Sequence, residues 1–475
     1  MRLFQLGTVG VRFSVVAVLA LGILCSGCKK EIDKESLPMY VQNNAGLERI
    51  QELMSTGTKQ PGLRLAALTL VVEKGLSAEL PKLMSKAPDS KELAKKLAKV
   101  MITRIKGDSD EAAYARDALV RLFTMLPNDI ADQIRKRIAD WAFEGLDEKT
   151  PKDKLKAQVE SRLPLSQLRR MGKFGVRGAG LLIRWGYNMT DLCAMLVDLK
   201  TPEAKRTLAE SLLAAHKNID NDWTVDQLRF MNEAGHAVGF VEMLRQYRNP
   251  NLDEVSHNWA FNAAMAGVSE ALKDPKLKVE AVNELRSVIA SDNPDDKWIG
   301  MNTLVEYLGD EGVDDALKGL SDGVSYAYAE EDPRKSMVDF CSDTVAKYAK
   351  NSKPKVLALL SSGNLPQKAL AVVCAKVWNH KGSAGSLKSF ASDRNSPSLE
   401  EIMPDVPNLS MLAKNAMDGM ALLDDITAKE KSKAISKDEA ASRRFWVKVV
   451  LDRVEPDYSQ AVNAAAAEDL QEGAN

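Results

Sequence analysis

The stretch Gly363–Gly382, GNLPQKALAVVCAKVWNHKG, carries the signals for one complete α-helix and its turns. Pro366 suits the first turn of a helix, because the N–H that proline lacks would have no helical partner there. Leu370, Val373 and Cys374 follow at the spacing that places apolar side chains on one helix face. A glycine closes the stretch, so the pattern predicts a helix between two turns.

The same signals recur along the chain. Helical spacing of this kind begins at Pro61 in PGLRLAALTLVVEKG and at Pro202 in PEAKRTLAESLLAAHK. Strand signals are almost absent beyond the N-terminal apolar segment. These observations predict an all-α fold. An N-capping side chain also precedes proline at several places: Thr201-Pro202, Asn249-Pro250, Asp274-Pro275, Asn293-Pro294 and Asp332-Pro333.

Four of the prolines suggest a repeat. Pro294, Pro333, Pro366 and Pro407 are separated by 39, 33 and 41 residues. Between them, a shorter helix ends in Ser, Asp, Gly or Asn and leads into a turn. Helix–turn–helix units at this period predict an α-solenoid of stacked helical hairpins. Other prolines fall between the four, so this register is one of several choices: Pro354, Pro397 and Pro404.

In its pattern of turn, helix and closing glycine, the chain resembles HEAT repeats. The block Pro294–Ile426 carries the resemblance, together with the units Gln60–Lys74 and Thr201–Lys217. The resemblance implies a HEAT-like solenoid whose concave surface binds protein or peptide partners. An arginine common in the second helix of the family is present only in some units, as Arg64 and Arg206. Tetratricopeptide-like helix pairs are an alternative for Ala45–Gly145.

The N-terminal residues determine the predicted location. Arg2 and Arg12 accompany the uncharged run Phe13–Leu24, which is the layout of a secretory signal and is too short to span a bilayer. The following LCSGC resembles a bacterial lipoprotein signal, with Gly27 before the modified Cys28. That resemblance implies that Cys28 carries acyl chains and anchors the mature chain to a membrane of the bacterial cell envelope.

Two details bear on this interpretation. Cys25 stands where the lipoprotein pattern usually has leucine, and the alternative is an ordinary cleaved signal with Cys28 as an incidental thiol. Lys29 follows the modified cysteine, and in enteric-type bacteria a lysine there implies sorting to the outer membrane, facing the periplasm. The predicted organisation is a signal peptide (1–27), a polar tether (28–44), less regular helical repeats (45–190), HEAT-like repeats (191–426), and a C-terminal helix with an acidic tail (427–475).

Composition excludes some functions. Without the signal, the chain has 63 basic and 66 acidic residues, a net charge of −3, which gives no support for nucleic-acid binding. Removing the 27 residues of the signal from 475 leaves 448 residues, which is too long for one compact core. The chain is therefore either multi-domain or a solenoid. The few cysteines do not form the framework of a small disulfide-rich domain. No cofactor motif is present, and the histidines lack metal-ligand spacing with one another: His216, His236, His257 and His380.

One segment, Ser161–Thr190, contains six basic residues and no acid. Its glycines would let the backbone approach an anion closely. The sequence therefore offers a candidate site for an acidic partner or anionic lipid headgroups. The alternative is a solvated helix face beside a turn. The six residues are Arg162, Arg169, Arg170, Lys173, Arg177 and Arg184.

The same region loosely resembles the catalytic segment of lytic transglycosylases. A Glu-Ser pair, Glu160-Ser161, precedes the phrase Gly178–Leu181, and the resemblance implies that Glu160 would be a general acid/base in a peptidoglycan-cleaving enzyme. The segment Gly178–Leu181 is one residue shorter than the corresponding motif of the family, and the family's later Tyr-Asn-Ala-Gly motif is absent. The primary prediction is therefore a non-catalytic, protein-binding scaffold without a cofactor, and the enzyme is the alternative.

The repeat register also makes a prediction about thiols. Cys341 and Cys374 each lie eight residues after a proline, Pro333 and Pro366, so both are expected at equivalent buried positions. Neighbouring helices pack about 8–10 Å apart, whereas a disulfide needs Cα atoms within about 7 Å. Both thiols are therefore predicted to be buried and unpaired. A disulfide between them would show that the repeat register, and with it the repeat assignment in this part of the chain, is wrong.

Overall fold

A computed structural model describes residues 31–219, 222–291, 293–320, 333–404, 406–450 and 458–472. Within these ranges the fold is all-α, as predicted, and the only β-type pairing is an isolated bridge between Ser398 and Asn408. No described helix combines the length and the apolar character needed to cross a bilayer. The chain divides into two compact units, here called unit 1 (up to Asn221) and unit 2 (from Asp222).

Unit 1 consists of helices joined by short turns and 3₁₀ segments. The helices are α1 (Leu37–Tyr40), α2 (Asn44–Ser55), α3 (Pro61–Glu73), α4 (Leu80–Met84), α5 (Ser90–Met101), α6 (Asp110–Leu122), α7 (Asn128–Ala142), α8 (Lys152–Arg162), α9 (Leu165–Leu168), α10 (Val176–Ile183), α11 (Met189–Leu199) and α12 (Pro202–Ile219). A 3₁₀ segment, Arg169–Gly175, joins α9 to α10.

Unit 2 is built in the same way. Its helices are α13 (Val225–Ala234), α14 (Ala237–Tyr247), α15 (Glu254–Lys273), α16 (Lys278–Ile289), α17 (Pro294–Leu308), α18 (Val313–Lys318), α19 (Pro333–Asp339), α20 (Ala346–Tyr348), α21 (Lys353–Ser362), α22 (Leu365–Val377), α23 (Ala384–Ala391), α24 (Leu409–Lys431), α25 (Lys437–Val449) and α26 (Tyr458–Glu472). A π-helical turn, Phe340–Val345, connects α19 to α20.

Helix starts follow the local signals closely. Pro61, Pro202 and Pro294 each begin a helix. At α22, the Asn364 side chain accepts a hydrogen bond from the Gln367 backbone N–H, and the Gln367 side chain accepts one from the Asn364 backbone N–H, which makes a capping box. The starts predicted at Pro250 and Pro275 are displaced, because α15 and α16 begin only after these prolines, with Asp253 as the capping residue of α15.

Within each unit, packing is mainly between helices that are close in the chain. In unit 1, α3 packs on α5 and α6, and α10 packs on α11 and α12. In unit 2, α13 and α14 pack on α15, and α22 packs on α21 and α24. The buried faces are aliphatic, as at Leu370 and Val373, which have no solvent exposure. Burial of these stripes is what stabilises helices of such modest length.

The folded part begins inside the range assigned to the polar tether. Leu37 in α1 and Val41 are buried, and α1 packs on α2 and α3. Just before α1, Asp33 and Ser36 hydrogen-bond to one another in a turn. Two apolar anchors in an otherwise polar stretch are enough to hold a single helical turn against α2. Residues 37–44 therefore belong to unit 1.

The C-terminal segment is also more ordered than an acidic tail. Helix α26 packs on α24 and α25, with Tyr458 and Val462 buried among their apolar residues. Lys376, which is 1% exposed, donates from its Nζ to the Val450 carbonyl at 2.6 Å and lies 3.3 Å from the Tyr458 hydroxyl. The Tyr458 hydroxyl is also 2.9 Å from the Val447 carbonyl at the end of α25. These polar contacts attach α26 to the core of unit 2.

The prediction of unpaired thiols in unit 2 is wrong. Cys341 and Cys374 form a disulfide, with their Cα atoms 5.3 Å apart. The spacing of 8–10 Å applies to helix axes, and each Cα lies about 2.3 Å off its axis toward the partner. Facing residues of packed helices can therefore come within bonding range. Both prolines do stand in the first turns of helices, but the bond shows that the repeat register drawn from them, and with it the repeat assignment in this part of the chain, is wrong.

Cys193 is the buried free thiol among the described residues. Burial raises its pKa to about 12, so the thiolate is almost unpopulated at neutral pH. We expect a thiol reagent at pH 8 to leave Cys193 unmodified in the folded protein and to modify it completely in denaturant. Mass spectrometry of the labelled protein measures this, and rapid labelling without denaturant would contradict the buried placement.

Candidate anion-binding site

The predicted lipidation site, Cys28, lies outside the described residues, so lipidation stays a prediction. Glu160, the residue of the enzymatic alternative, lies near the end of α8 with its side chain 55% exposed. Its carboxylate accepts a hydrogen bond from the Tyr187 hydroxyl, which raises the pKa of Tyr187, and it is 3.9 Å from the Lys156 ammonium. The contacts around Glu160 are therefore those of a residue on an open helix surface.

Two arginines of the basic segment contact backbone carbonyls and an aromatic ring. Arg162 donates to the Trp141 carbonyl at 3.1 Å, and its guanidinium lies 4.9 Å from the centre of the Trp141 ring. The same side chain lies 3.6 Å from Asp108. Arg177 donates to the carbonyl of Leu146, beyond the C-terminal end of α7. Arg162 thus attaches α8 to α7, and Arg177 attaches α10 to the turn that follows α7.

Three further cations pair with carboxylates that the segment itself lacks. Arg169 lies 3.5 Å from Asp191, Lys173 lies 2.9 Å from Asp132, and Arg184 lies 2.9 Å from Glu148. Each acid comes from a neighbouring part of unit 1, outside Ser161–Thr190. The absence of acids within the segment is therefore compensated by the tertiary structure, and these placements favour the interpretation of a solvated, structurally paired face.

The glycines of the segment serve helix packing. A Cβ at Gly178 would overlap the ring of Phe143, and one at Gly180 would lie 2.5 Å from the Thr207 methyl group. Both glycines are in α10, where the missing side chain allows close approach of neighbouring elements. Gly172 differs, because it adopts a φ of +57° in the 3₁₀ segment, a conformation that favours glycine. The phrase Gly178–Leu181 is thus part of a buried helix.

Arg170 is the exception within the basic segment. Its backbone carbonyl accepts a hydrogen bond from Arg135 at 3.2 Å, but its guanidinium makes no ion pair or hydrogen bond to another described residue. The side chain lines a cavity of about 410 Å³ between α4, α6, α7 and the 3₁₀ segment. The remaining lining residues are Pro81, Val120, Arg121, Phe123, Thr124 and Arg135.

The two other arginines of this cavity are held by their own helices. Arg121 is 2.9 Å from Asp117 within α6, and Arg135 is 2.9 Å from Asp132 within α7. The Arg135 guanidinium also stacks over Phe123, 4.6 Å from the ring centre. Both guanidiniums are oriented by these contacts, and both keep N–H groups beyond those engaged by a single carboxylate.

The local charge balance is positive. Asp132 pairs with both Lys173 and Arg135, and these hydrogen bonds, chiefly the one from Lys173, lower its pKa. Asp132 is therefore ionised at neutral pH and offsets one positive charge, as Asp117 offsets another. The described residues of the cavity and its ion pairs contain four cations (Arg121, Arg135, Arg170 and Lys173), which leaves an excess of two positive charges.

Sequence reasoning found one member of this site and missed the rest. Arg170 was in the predicted cluster, whereas Arg121, Arg135 and Phe123 belong to elements about 35 to 50 residues earlier in the chain. No sequence pattern connects them, because only the packing of α6 and α7 against the 3₁₀ segment brings them together. Arg121 and Arg135 each have an acid nearby in the same helix, which makes them look like ordinary intrahelical ion pairs.

The described residues include no group of three or more His, Cys, Asp or Glu side chains placed to hold a metal ion. In comparisons with family models, curated proteins and solved structures, the chain had no significant match.

Proposed function

We propose that this protein is a lipid-anchored, non-catalytic scaffold of the bacterial cell envelope that binds protein partners through a HEAT-like α-solenoid surface. The observation that carries the proposal is the packing of helices with near neighbours in the chain, within both units. Stacked helix pairs of this kind present extended surfaces that suit protein and peptide partners. The anchor is the acylated Cys28, and the membrane is the outer membrane, with the protein facing the periplasm.

The disulfide supports the proposed compartment. Cys341 and Cys374 are both fully buried and are joined across two helices of unit 2. Structural disulfides of this kind form and persist in oxidising compartments such as the periplasm and are rare in the cytosol. This support is independent of the signal sequence, because the two cysteines lie more than 300 residues from it.

The short connection to the anchor supports a position near the membrane. Only the eight residues from Lys29 to Ser36 separate Cys28 from Leu37, the first buried residue of unit 1. Fully extended, that connection reaches about 30 Å. The start of unit 1 would therefore lie within about 30 Å of the membrane surface, where other envelope proteins are also anchored.

The position of Glu160 supports the scaffold over the enzyme. A catalytic carboxylic acid must lie in a cleft where burial or a charged neighbour adjusts its pKa to its task. Glu160 is half exposed on α8 and lies beside a lysine. An open helix surface provides neither the cleft nor the burial that a general acid needs.

Lipidation is tested by Cys28→Ser in the full-length chain. We expect the variant to lose both incorporation of a labelled fatty acid and cleavage before residue 28, since the thiol is the acyl acceptor. Metabolic labelling and mass spectrometry of the N-terminus measure the two effects. Cys25→Ser is the matched control and should be acylated normally. Acylation of Cys28→Ser, or a mature N-terminus elsewhere, would contradict the proposal.

The scaffold itself is tested by crosslinking in intact cells followed by purification of the lipidated protein. We expect the same protein partners to be captured through exposed residues of the helical units in repeated experiments. The matched control is the Cys28→Ser protein, which should lose the partners that are themselves held in the membrane. Release of peptidoglycan fragments by the purified protein, abolished by Glu160→Gln, would instead establish the enzyme.

A further inference from the structure

We propose that the cavity lined by Arg121, Arg135 and Arg170 binds a carboxylate of an acidic peptide segment in a partner protein. The inference deepens the proposed scaffold function, on which it rests, by naming the chemistry of the partner. We call this cavity the arginine pocket; it is lined also by Pro81, Val120, Phe123 and Thr124.

Two of the three guanidiniums in the arginine pocket are held by neighbouring side chains, and the third is not. Arg135 is fixed between Asp132 and the Phe123 ring, and Arg121 is fixed by Asp117. Arg170 has no side-chain partner among the described residues, although it lies beside these two cations. A guanidinium presents several N–H donors in a planar fork that matches a carboxylate or phosphate. An oxyanion in the pocket would satisfy the donors that the two aspartates leave unused.

The walls of the arginine pocket are partly apolar. Pro81, Val120 and Phe123 give the pocket apolar surface beside the cationic groups. Phe123 is only 6% exposed, so its ring is a rigid part of the core. An inorganic phosphate would leave this apolar surface unused, whereas a Glu or Asp flanked by an apolar residue would contact both parts. This combination favours an acidic peptide over a small anion.

The residues around the arginine pocket carry a net positive charge. The four cations and two carboxylates around the pocket leave two positive charges uncompensated, while the chain without its signal carries a net charge of −3. The pocket is therefore a local positive region on an acidic protein. Such a region attracts an acidic segment at long range, and the attraction weakens as salt is added.

The test is calorimetric titration of the purified mature protein with the acetylated peptide Leu-Glu-Leu-Glu at low ionic strength. We expect Arg170→Gln to weaken binding at least tenfold, because a hydrogen-bonded charge pair is lost. The variant should fold normally, since the Arg170 guanidinium makes no hydrogen bond or ion pair to a described residue. Arg169→Gln is the matched control: it removes the same charge one residue away, but from a side chain that faces Asp191. Its effect should be under threefold.

Each outcome decides the proposal. Loss of peptide binding in Arg170→Gln with little change in Arg169→Gln supports the pocket, as does the failure of Leu-Gln-Leu-Gln to bind. Equal losses in both variants would show a diffuse electrostatic effect and overturn it. No peptide binding by the wild-type protein, or stronger binding to inorganic phosphate or phosphatidylglycerol vesicles, would also overturn it. None of these results depends on acylation of Cys28, so failure here is distinguishable from failure of the anchor.

Discussion

Reduction of the Cys341–Cys374 disulfide should lower the free energy of unfolding of unit 2 by about 3–4 kcal/mol. The bond closes a loop with a sequence separation of 33 residues. In the chain-entropy description, a crosslink of that length restricts the unfolded ensemble and so stabilises the folded state by about that amount. The effect should be largest in the π-helical turn Phe340–Val345 and in α22, which the bond joins directly.

Amide hydrogen exchange with and without reductant measures this effect region by region. Local measurement is preferable, because a chain with two compact units is not expected to unfold in a single transition. The double variant Cys341→Ala/Cys374→Ala is the control, and it should match the reduced protein and respond to reductant no further. Unchanged exchange in α22 after complete reduction, verified by mass spectrometry, would contradict the prediction.

Asp89→Ala should destabilise unit 1 by about 3–5 kcal/mol, the range for removing one partner of a buried ion pair. Arg64 is fully buried in α3, and its guanidinium binds both oxygens of Asp89, at 2.6 and 3.0 Å. It also donates to the Gly57 carbonyl. Without Asp89 the positive charge remains inside the protein with only that carbonyl as a described partner, which is why the expected loss is large.

The reciprocal variant provides an internal comparison. Arg64→Met should cost less than Asp89→Ala, because the Asp89 side chain is 28% exposed and can be hydrated once its partner is gone. Asp140→Ala is a matched surface control, since Asp140 pairs with Lys136 where both side chains are more than 60% exposed, and little change is expected. Hydrogen exchange in α3 and α5 reports the three variants. A larger loss in Arg64→Met than in Asp89→Ala would contradict the assignment of the buried charge to Arg64.

The same pair predicts a dependence on pH. The hydrogen bond from Arg64 lowers the pKa of Asp89 below its ordinary value of 3.8. A carboxyl whose pKa is lower in the folded state contributes stability that is complete above the unfolded value and is lost as the pH falls through the folded value. The difference in stability between wild type and Asp89→Ala should therefore be constant above about pH 5 and shrink progressively below it.

Much of the local structure could be read from the sequence. The starts of α3, α12 and α17 were predicted at Pro61, Pro202 and Pro294, because a helix start depends on a capping residue and the first turn, all within a few positions. The starts predicted at Pro250 and Pro275 failed, because Asp253 offers a competing cap and Pro275 stands in a turn before α16. Apolar spacing likewise predicted that Leu370, Val373 and Cys374 are buried, because residues three and four positions apart lie on the same face of a helix.

For the candidate site, the sequence alone did not show which residues contact one another. The cluster of six basic residues was visible, but the partners of five of them were not. The acids that pair with Arg169, Lys173 and Arg184 come from other elements of unit 1, and so do the two arginines that join Arg170 in the arginine pocket. A count of charges in one segment cannot show which of them the tertiary structure neutralises.

By itself, the sequence determined the all-α class, several helix starts and the apolar faces, because these depend on interactions within a turn or two of helix. Only the tertiary structure decided that Cys341 bonds to Cys374 and that buried Arg64 pairs with Asp89. It also decided that Arg170, alone of its cluster, lines a pocket with no side-chain partner among the described residues. These depend on which helix faces meet across 25 residues or more, and that is fixed by how the buried stripes pack together.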